Sequence, residues 1–263
     1  MSADNRIQPL PSLWAALSSR AGAQARDVEI VLQAGSQAYR LALALRRWDN
    51  AQPTAEAAAL NGLSAAEHRR FAALTNPKRR SEFLHGRAAA KAAMCRLSPH
   101  TRAADWSVVP GVFRQPVVHG PASMAVSIAH TRDCATALAF PTELFAGVDM
   151  ERLRPDSQHA IRSQMTAHER QTLAASSVPE AMQLTLAWSA KEALSKALRM
   201  GLLLPFRELG LSGVTYRAAL DAWMMTFRLT PSLVVYAGLH GDEALALALP
   251  QRFAVTCLAP VAD

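Results

Sequence analysis

Stretches with the two-residue alternation of β-strands give way twice along this chain to stretches with helical spacing. DVEIVLQAG and AYRLALAL have strand character, and LSAAEHRRFAAL and KRRSEFLHGRAAAKAAMCRL have helical character. Strands return over residues 124–153, helices over residues 157–200, and strands again over residues 213–260. This order predicts an α+β protein built from two similar halves.

The junction between the halves lies near residues 140–146, so we expect an N-terminal lobe at 1–140 and a C-terminal lobe at 141–263. The alternating segments 124–140 and 144–153 flank a Pro-Thr-Glu turn, which predicts a β-hairpin. Proline and glycine recur over residues 98–121, which predicts loop with short strands. Each half carries an Ala-rich helix with basic residues, consistent with duplication, although such helices also resemble each other through composition alone.

Composition excludes several classes of protein. No apolar run approaches the roughly 20 residues of a membrane span, and the first residues lack a basic stretch followed by an apolar core, so we expect a cytoplasmic protein. Cys95, Cys134 and Cys257 lie far apart in the sequence, which favours buried thiols over disulfides or a zinc site. A net charge of +7 favours an acidic partner without identifying it.

The stretch WSAKEALSKAL places Trp188, Glu192 and Lys196 at four-residue intervals on one face of a predicted helix. Small residues, among them Ala190 and Ala193, fall on another face and are expected to pack in the core. The charged face is either part of a site or a solvated surface with an ordinary Glu–Lys pair.

The sequence GVDME places Asp149 and Glu151 on the same face of a predicted strand. Two like charges on a mostly apolar strand repel each other, and a hard cation such as Mg²⁺ would stabilise them. The alternative is a strand end that emerges into solvent, with Glu151 paired to Arg152 or Arg154.

Basic residues supply a third candidate feature. Arg80, Arg87 and Lys91 are expected on one face of the first long helix, which suits either a phosphate site or a solvated surface. His130, near a strand, could donate to a phosphate or satisfy a local backbone group.

Together these groups form the set that metal-assisted chemistry on a phosphate ester or anhydride needs. Two rivals remain open: a metal-dependent nuclease, and a nonenzymatic basic module that docks acidic helices. The helical spacing from Glu192 to Lys196 disfavours the nuclease, because the common nuclease core carries its Glu-x-Lys on a strand. The binding module would leave the pair Asp149 and Glu151 without a purpose.

With these residues identified, the chain resembles the 4′-phosphopantetheinyl transferases of the monomeric, two-lobed type. The motif G-[IV]-D-x-E is present as Gly147 to Glu151, and W-[ST]-x-K-E-[AS]-x-x-K as Trp188 to Lys196, followed by GLLLP. The segment RRSEFLHGRAAA is similar to the enterobactin-type branch. The resemblance covers roughly Asn76 to Gly210.

This resemblance implies an α+β fold of two similar lobes related by a pseudo-twofold, each with a small, mostly antiparallel sheet packed on helices. It implies transfer of the phosphopantetheine arm of coenzyme A to a serine of an acyl or peptidyl carrier protein, releasing adenosine 3′,5′-bisphosphate. Such activation serves siderophore, polyketide or fatty-acid synthesis. The implied partners are coenzyme A as substrate, Mg²⁺ and an acidic carrier protein, with no nucleic acid or membrane, and the implied state is a monomer.

The resemblance also implies roles for individual residues. Asp149, Glu151 and Glu192 would surround Mg²⁺, and Glu192 would also deprotonate the carrier serine. Lys196 would contact phosphate oxygens. Glu169 matches an acidic position of the family near the metal, and its spacing from Thr166 separately predicts a helix capping box.

The 3′-phosphate of coenzyme A is expected to bind His130, with help from Arg79, Arg80 and Arg87. Two departures from the family pattern affect this side of the site. Ala129 stands where the family has serine, so that hydroxyl contact is missing or is supplied by Thr131. The usual Gly-Lys-Pro reads Arg-Gln-Pro at residues 114–116, which alters the contact to adenine.

Overall fold

The computed structural model describes residues 25–48, 53–174 and 178–258. The elements of the first half are β1 (Ala25–Ala34), β2 (Gln37–Arg47), α1 (Pro53–Asn61), α2 (Ala65–Ala72), α3 (Pro77–Leu97), β3 (Ser107–Pro110), β4 (Pro116–His119), β5 (Met124–His130) and β6 (Cys134–Pro141). Those of the second half are β7 (Gly147–Arg152), α4 (Gln158–Ser163), α5 (Ala167–Ala174), α6 (Glu180–Ala197), β8 (Leu211–Arg217), β9 (Ala222–Phe227), β10 (Leu233–His240), β11 (Glu243–Pro250) and β12 (Ala254–Leu258).

Two five-stranded antiparallel sheets form the two lobes. The first has the strand order β12-β1-β2-β6-β5 and the second β7-β11-β10-β9-β8, while β3 and β4 form a separate ribbon. Helix α3 packs on β2, β5 and β6, and helix α6 packs on β7, β10 and β11. The predicted α+β fold, with two similar lobes of sheet packed on helix, is confirmed.

Strand register shows that the lobes are equivalent in detail. The segment DCATALAFP containing β6 corresponds to DEALALALP containing β11, and β6 pairs with β2 as β11 pairs with β7. In that register Ala44 of β2 occupies the position of Asp149 in β7, and Arg46 occupies the position of Glu151. The acidic strand pair therefore exists in the C-terminal repeat and has no counterpart on β2.

A buried ion pair is repeated as well. Glu67 on α2 contacts Lys91 on α3 at 2.5 Å, and Glu169 on α5 contacts Lys191 on α6 at 2.6 Å. All four side chains are at most 2% exposed. Each pair fastens a short helix to the long helix of the same lobe.

The lobes meet where strand β5 runs beside strand β7. Ser127 Oγ accepts a hydrogen bond from the Val148 backbone N–H at 3.1 Å and so joins the two sheet edges. Charged residues reinforce the junction, since Glu243 of β11 forms ion pairs with both Arg47 of β2 and Arg152 of β7. These contacts between the lobes fix the positions of Asp149 and Glu151 on β7 relative to the N-terminal lobe.

Two expectations about strand pairing are wrong. Residues 124–140 are two strands, β5 and β6, because the polar residues 131–133 form a turn inside the alternating pattern. Strand β7 pairs with β11 instead of forming a hairpin with the segment before it. Strand β12 pairs with β1, at the edge of the sheet that also contains β2, β5 and β6.

The cysteine prediction holds for Cys134, which is a buried free thiol whose pKa burial raises to about 12. Cys95 is a free thiol that is only half-buried, and the side chain of Cys257 lies outside the described residues. The structure, where it describes the chain, contains no helix with the length and apolar character of a membrane span.

Candidate functional site

Gly147 brings strand β7 into direct contact with helix α6. A Cβ atom at this position would lie 2.2 Å from the Ala193 carbonyl oxygen and 2.7 Å from the Ala197 nitrogen. Glycine avoids that overlap, so the backbone of β7 rests on the helix. Asp149 then reaches the last turn of α6, where its Oδ1 accepts a hydrogen bond from Lys196 Nζ at 2.6 Å.

The other oxygen of Asp149 has no such partner. The carboxylate is 5% exposed, and its Oδ2 atom is buried without a hydrogen bond to any residue that the structure describes. An unpaired buried carboxylate oxygen is costly, so this atom marks a place for a cation or a ligand donor.

Glu151 and Glu192 complete an acidic group around Asp149. Burial, together with repulsion from Asp149 and Glu192, raises the pKa of Glu151 to about 7, against the opposing effects of Lys196 and a hydrogen bond with Trp188. Burial and the charge of Asp149 also raise the pKa of Glu192, which Lys196 partly offsets. Carboxylates that raise one another's pKa are stabilised by a bound cation.

Trp188 forms one wall of this group. Its ring packs against Phe206 with centroids 4.8 Å apart, and the indole lies close enough to Glu151 to act against the rise in that carboxyl's pKa. The helical face of Trp188, Glu192 and Lys196 is therefore half-buried at the lobe junction, and the alternative of a fully solvated face is wrong.

The carboxylates of this acidic group are candidate ligands for a metal ion. Over the described ranges, no three His, Cys, Asp or Glu side chains are already gathered around one metal position. The donor types nevertheless suit Mg²⁺, which prefers carboxylate oxygens. The unpartnered Oδ2 of Asp149 and the raised pKa of Glu151 both fit a cation here.

His130 links the acidic group to the N-terminal lobe. Partial burial of its ring lowers the pKa of His130; Glu82 of α3 opposes this effect, whereas Lys196 of α6 adds to it. Because groups from both lobes act on this imidazole, His130 lies at their junction, at the end of β5.

Beyond His130, the N-terminal lobe contains a cleft of about 690 Å³ between α3 and the β3–β4 ribbon. Its basic lining residues are Arg70, Arg79, Arg87, Arg114 and His130. The structure thus brings together Arg79, Arg87 and His130, three of the residues expected to bind phosphate. Arg70 was missed because nothing in the sequence distinguishes it from the other basic residues of α2.

Arg80 and Lys91, which were expected on the same basic helix face as Arg87, do not line the cleft. Arg80 Nη1 donates to the carbonyl oxygens of Phe71 and Leu74 at 3.0 Å, and its guanidinium lies over the Phe71 ring. Arg80 therefore holds the connection between α2 and α3 and is not among the residues that line the cleft. Lys91 is turned into the core against Glu67, so its expected place on a basic surface is wrong.

Glu169 is expected both in a helix capping box and near a metal. Its backbone and carboxylate form the predicted capping box with Thr166, which is confirmed. The carboxylate further accepts the Leu211 N–H and pairs with Lys191, and it is 1% exposed. Both oxygens are committed to these partners, and the expected place of Glu169 beside a metal stays a prediction.

A second cavity, of about 450 Å³, lies between the lobes. Phe113 and Ile128 contribute apolar surface to it, and Lys196 and Arg199 approach from the C-terminal lobe. Arg114 lines both this cavity and the basic cleft, in a left-handed conformation with φ of 64°. The two openings therefore meet at Arg114, and the second reaches Lys196, which is paired with Asp149.

Comparison with known proteins gives matches in both lobes. Residues 146–231 match the model of the 4′-phosphopantetheinyl transferase superfamily, and residues 67–140 match that of the 4′-phosphopantetheinyl transferase N-terminal domain. Enterobactin synthase component D of Salmonella typhi is 40% identical over 135 residues, which cover 49% of this chain and 52% of that protein. The same component of Salmonella typhimurium is 38% identical over 135 residues, with the same coverage.

The chain therefore spans about half the length of the curated relatives it matches. Among solved structures, a holo-(acyl-carrier-protein) synthase from Bacillus anthracis in complex with CoA has a TM-score of 0.35 and 18% sequence identity. That match covers 42% of this chain and 96% of the other.

Proposed function

The chain belongs to the 4′-phosphopantetheinyl transferase superfamily, and on this premise we propose that it transfers phosphopantetheine from coenzyme A to a serine of a carrier protein. The observation that carries the proposal is the meeting of two unlike surfaces at the lobe junction. An acidic group with one lysine lies on β7 and α6, and a cleft lined by arginines lies next to it on the N-terminal lobe.

The acidic group suits a magnesium ion. Asp149, Glu151 and Glu192 are the residues that would hold Mg²⁺, with the unpartnered Oδ2 of Asp149 as the first oxygen available. Bound there, the ion would neutralise charge on the pyrophosphate of coenzyme A.

In the proposed reaction the carrier serine oxygen forms a bond to the phosphorus atom nearer the pantetheine. The bond from that phosphorus to the bridging oxygen breaks, and adenosine 3′,5′-bisphosphate leaves. Glu192, on α6 beside Asp149, accepts the serine proton as the general base. Lys196 offsets the negative charge that develops on the leaving phosphate.

The basic cleft suits the nucleotide end of coenzyme A. Arg79, Arg87 and His130 are proposed to bind its 3′-phosphate, and Arg114 is placed to contact the nucleotide where the family has glycine. The adjoining cavity at Lys196 gives the pyrophosphate a route from the cleft to the acidic group.

Both lobes of one chain contribute to the site, which supports a monomer as the active species. The net charge of +7 supports an acidic carrier protein as the acceptor, because complementary charge speeds the encounter of two proteins.

The proposal is tested by chromatography of reaction mixtures that contain coenzyme A, Mg²⁺ and an apo carrier protein. Adenosine 3′,5′-bisphosphate should accumulate only when the carrier is present, in amounts equal to the carrier modified. A parallel incubation with DNA should leave the DNA intact. Cleaved DNA with unconsumed coenzyme A would favour the nuclease, and stable carrier binding without product would favour the binding module.

A further inference from the structure

Among the arginines that line the cleft, Arg87 has a side chain held in place by three kinds of contact: a hydrogen bond, an ion pair and a ring contact. Its Nε donates to the Val108 carbonyl oxygen at 3.1 Å and lies 3.4 Å from Glu67 Oε1. Its guanidinium stacks on the Phe83 ring at 4.6 Å. The anchors act through Nε and the ring face, and no described residue bonds to the terminal Nη groups, which can therefore serve the cleft.

Glu67 is buried beneath this arginine at 1% exposure. One oxygen accepts the Ser64 N–H at 2.8 Å and pairs with Lys91, while the other accepts the Val108 N–H at 2.9 Å and faces Arg87. The carboxylate therefore holds Val108 and Arg87 together, one through its N–H and the other through its charge.

We propose that Glu67 is a positioning residue, which holds the Arg87 guanidinium in the orientation that binds the 3′-phosphate of the nucleotide. The inference rests on the proposed function, because it takes the basic cleft as the nucleotide site. A guanidinium fixed before binding loses less conformational freedom when the phosphate arrives.

The charge of Glu67 has a second effect on the cleft. Arg70 lies close enough for its charge to oppose that of Arg87, while Glu67 counters this repulsion. Glu67 thus lets two arginines share one small cleft in the absence of a ligand, so that the cleft is formed before the nucleotide binds.

The C-terminal lobe provides a natural comparison. Glu169 and Lys191 form the equivalent buried pair with an equivalent capping box, but the residue four positions before Lys191 is Ala187, where the N-terminal lobe has Arg87. The pair itself therefore serves to fasten the helices in both lobes. Only in the N-terminal lobe does it also contact a cleft arginine.

This comparison yields two matched double variants, Glu67→Gln/Lys91→Met and Glu169→Gln/Lys191→Met. Each removes both charges of one buried pair and nearly keeps the volume. Each also removes the lysine donor from buried carbonyl oxygens, those of Gly62 and Trp106 in the first variant and that of Phe206 in the second, so thermal unfolding of both variants is measured before their binding is compared. Calorimetry would measure the binding of adenosine 3′,5′-bisphosphate and of adenosine 5′-phosphate, which lacks the 3′-phosphate, to the full-length proteins.

We expect Glu67→Gln/Lys91→Met to weaken binding of the bisphosphate roughly fivefold, in keeping with the cost of ordering one long side chain, and to leave the monophosphate unchanged. The variant Glu169→Gln/Lys191→Met should bind both nucleotides as the wild type does. In an Arg87→Ala background, removal of the Glu67 pair should cause no further loss, because the group that it positions is absent.

Arg87→Lys supplies a second test with the buried pair intact. It keeps the positive charge but loses the Nε anchor, and it should weaken binding of the bisphosphate to a similar degree. Equal affinities for the two double variants, or a further loss in the Arg87→Ala background, would refute the positioning role while leaving the nucleotide site in place. A wild type that binds neither nucleotide would instead remove the proposed function, and this inference with it.

Discussion

At the scale of single residues, Glu192 is the side chain on which the proposed chemistry depends most. It projects from α6 beside Asp149 and is not part of the buried face of that helix. Glu192→Gln should lower the transfer rate by about a hundredfold or more, because the base is lost. Its melting temperature should match or exceed that of the wild type, because repulsion from Asp149 is relieved.

Steady-state rates and thermal unfolding measure the two effects. Glu180→Gln is the matched control, since Glu180 is an exposed carboxylate on the same helix and forms an ion pair with exposed Arg162. A near-normal rate for Glu192→Gln would remove this residue from the mechanism.

The raised pKa of Glu151 should make the stability of the protein depend on pH. Its pKa is raised to about 7, so between the ordinary glutamate pKa and 7 the folded protein binds more protons than the unfolded chain. The free energy of unfolding in EDTA should therefore fall as pH rises from about 5 to about 8, and Mg²⁺ should restore it at the higher pH.

Thermal unfolding of the wild type and of Glu151→Gln, each with EDTA or Mg²⁺, checks this expectation. The variant cannot ionise at this position, so its stability should fall less over the same pH range. Identical pH profiles for the two proteins would contradict the shifted pKa.

At the scale of elements, contact between β7 and α6 builds the acidic group. Gly147→Ala should lower the free energy of unfolding by about 2 kcal/mol or more, because the added Cβ overlaps the helix backbone at Ala193. It should also lower activity, since Asp149 would move away from Lys196.

Denaturant unfolding measures the loss of stability. Gly210→Ala is the control, because a Cβ atom there meets its nearest neighbour at 3.9 Å. Equal stabilities for the two variants would show that β7 and α6 are not in the contact described.

The sequence predicts the helices and most strands because their periodicity is local, and it predicts the capping box of Thr166 and Glu169 from spacing alone. Pairing of β7 with β11 and return of β12 to the first sheet depend on contacts between distant parts of the chain, which periodicity does not encode. Lys91, on the helix beside the basic cleft, illustrates the same limit. Its helical position suggests a basic surface, and only the location of Glu67 explains its burial.

At the scale of the whole molecule, two equivalent lobes have different chemistry. The acidic residues are present in the C-terminal repeat, and the phosphate-binding candidates lie in the N-terminal repeat. The motifs identify the acidic group from sequence, but the joining of the two surfaces at His130 follows from the packing of β5 beside β7.

The junction of the lobes can be tested through Glu243, which is 8% exposed and pairs with Arg47 and Arg152. Glu243→Gln should lower the free energy of unfolding by about 2 kcal/mol, because Arg47 loses its carboxylate partner while Arg152 keeps other carboxylates nearby. Asp156→Asn, which removes an exposed pair with Arg154, should change it by less than about 0.5 kcal/mol. Similar values for both variants in denaturant titrations would argue against a junction held by Glu243.

Transfer of phosphopantetheine to a carrier protein is tested most directly by intact-mass spectrometry. An apo carrier protein would be incubated with this protein, coenzyme A and Mg²⁺, with parallel samples containing EDTA or the Glu192→Gln variant. We expect the carrier to gain the mass of one phosphopantetheine group with the wild type and Mg²⁺, and to gain nothing in either parallel sample. An unchanged carrier mass across acyl and peptidyl carriers, with coenzyme A unconsumed, would contradict it.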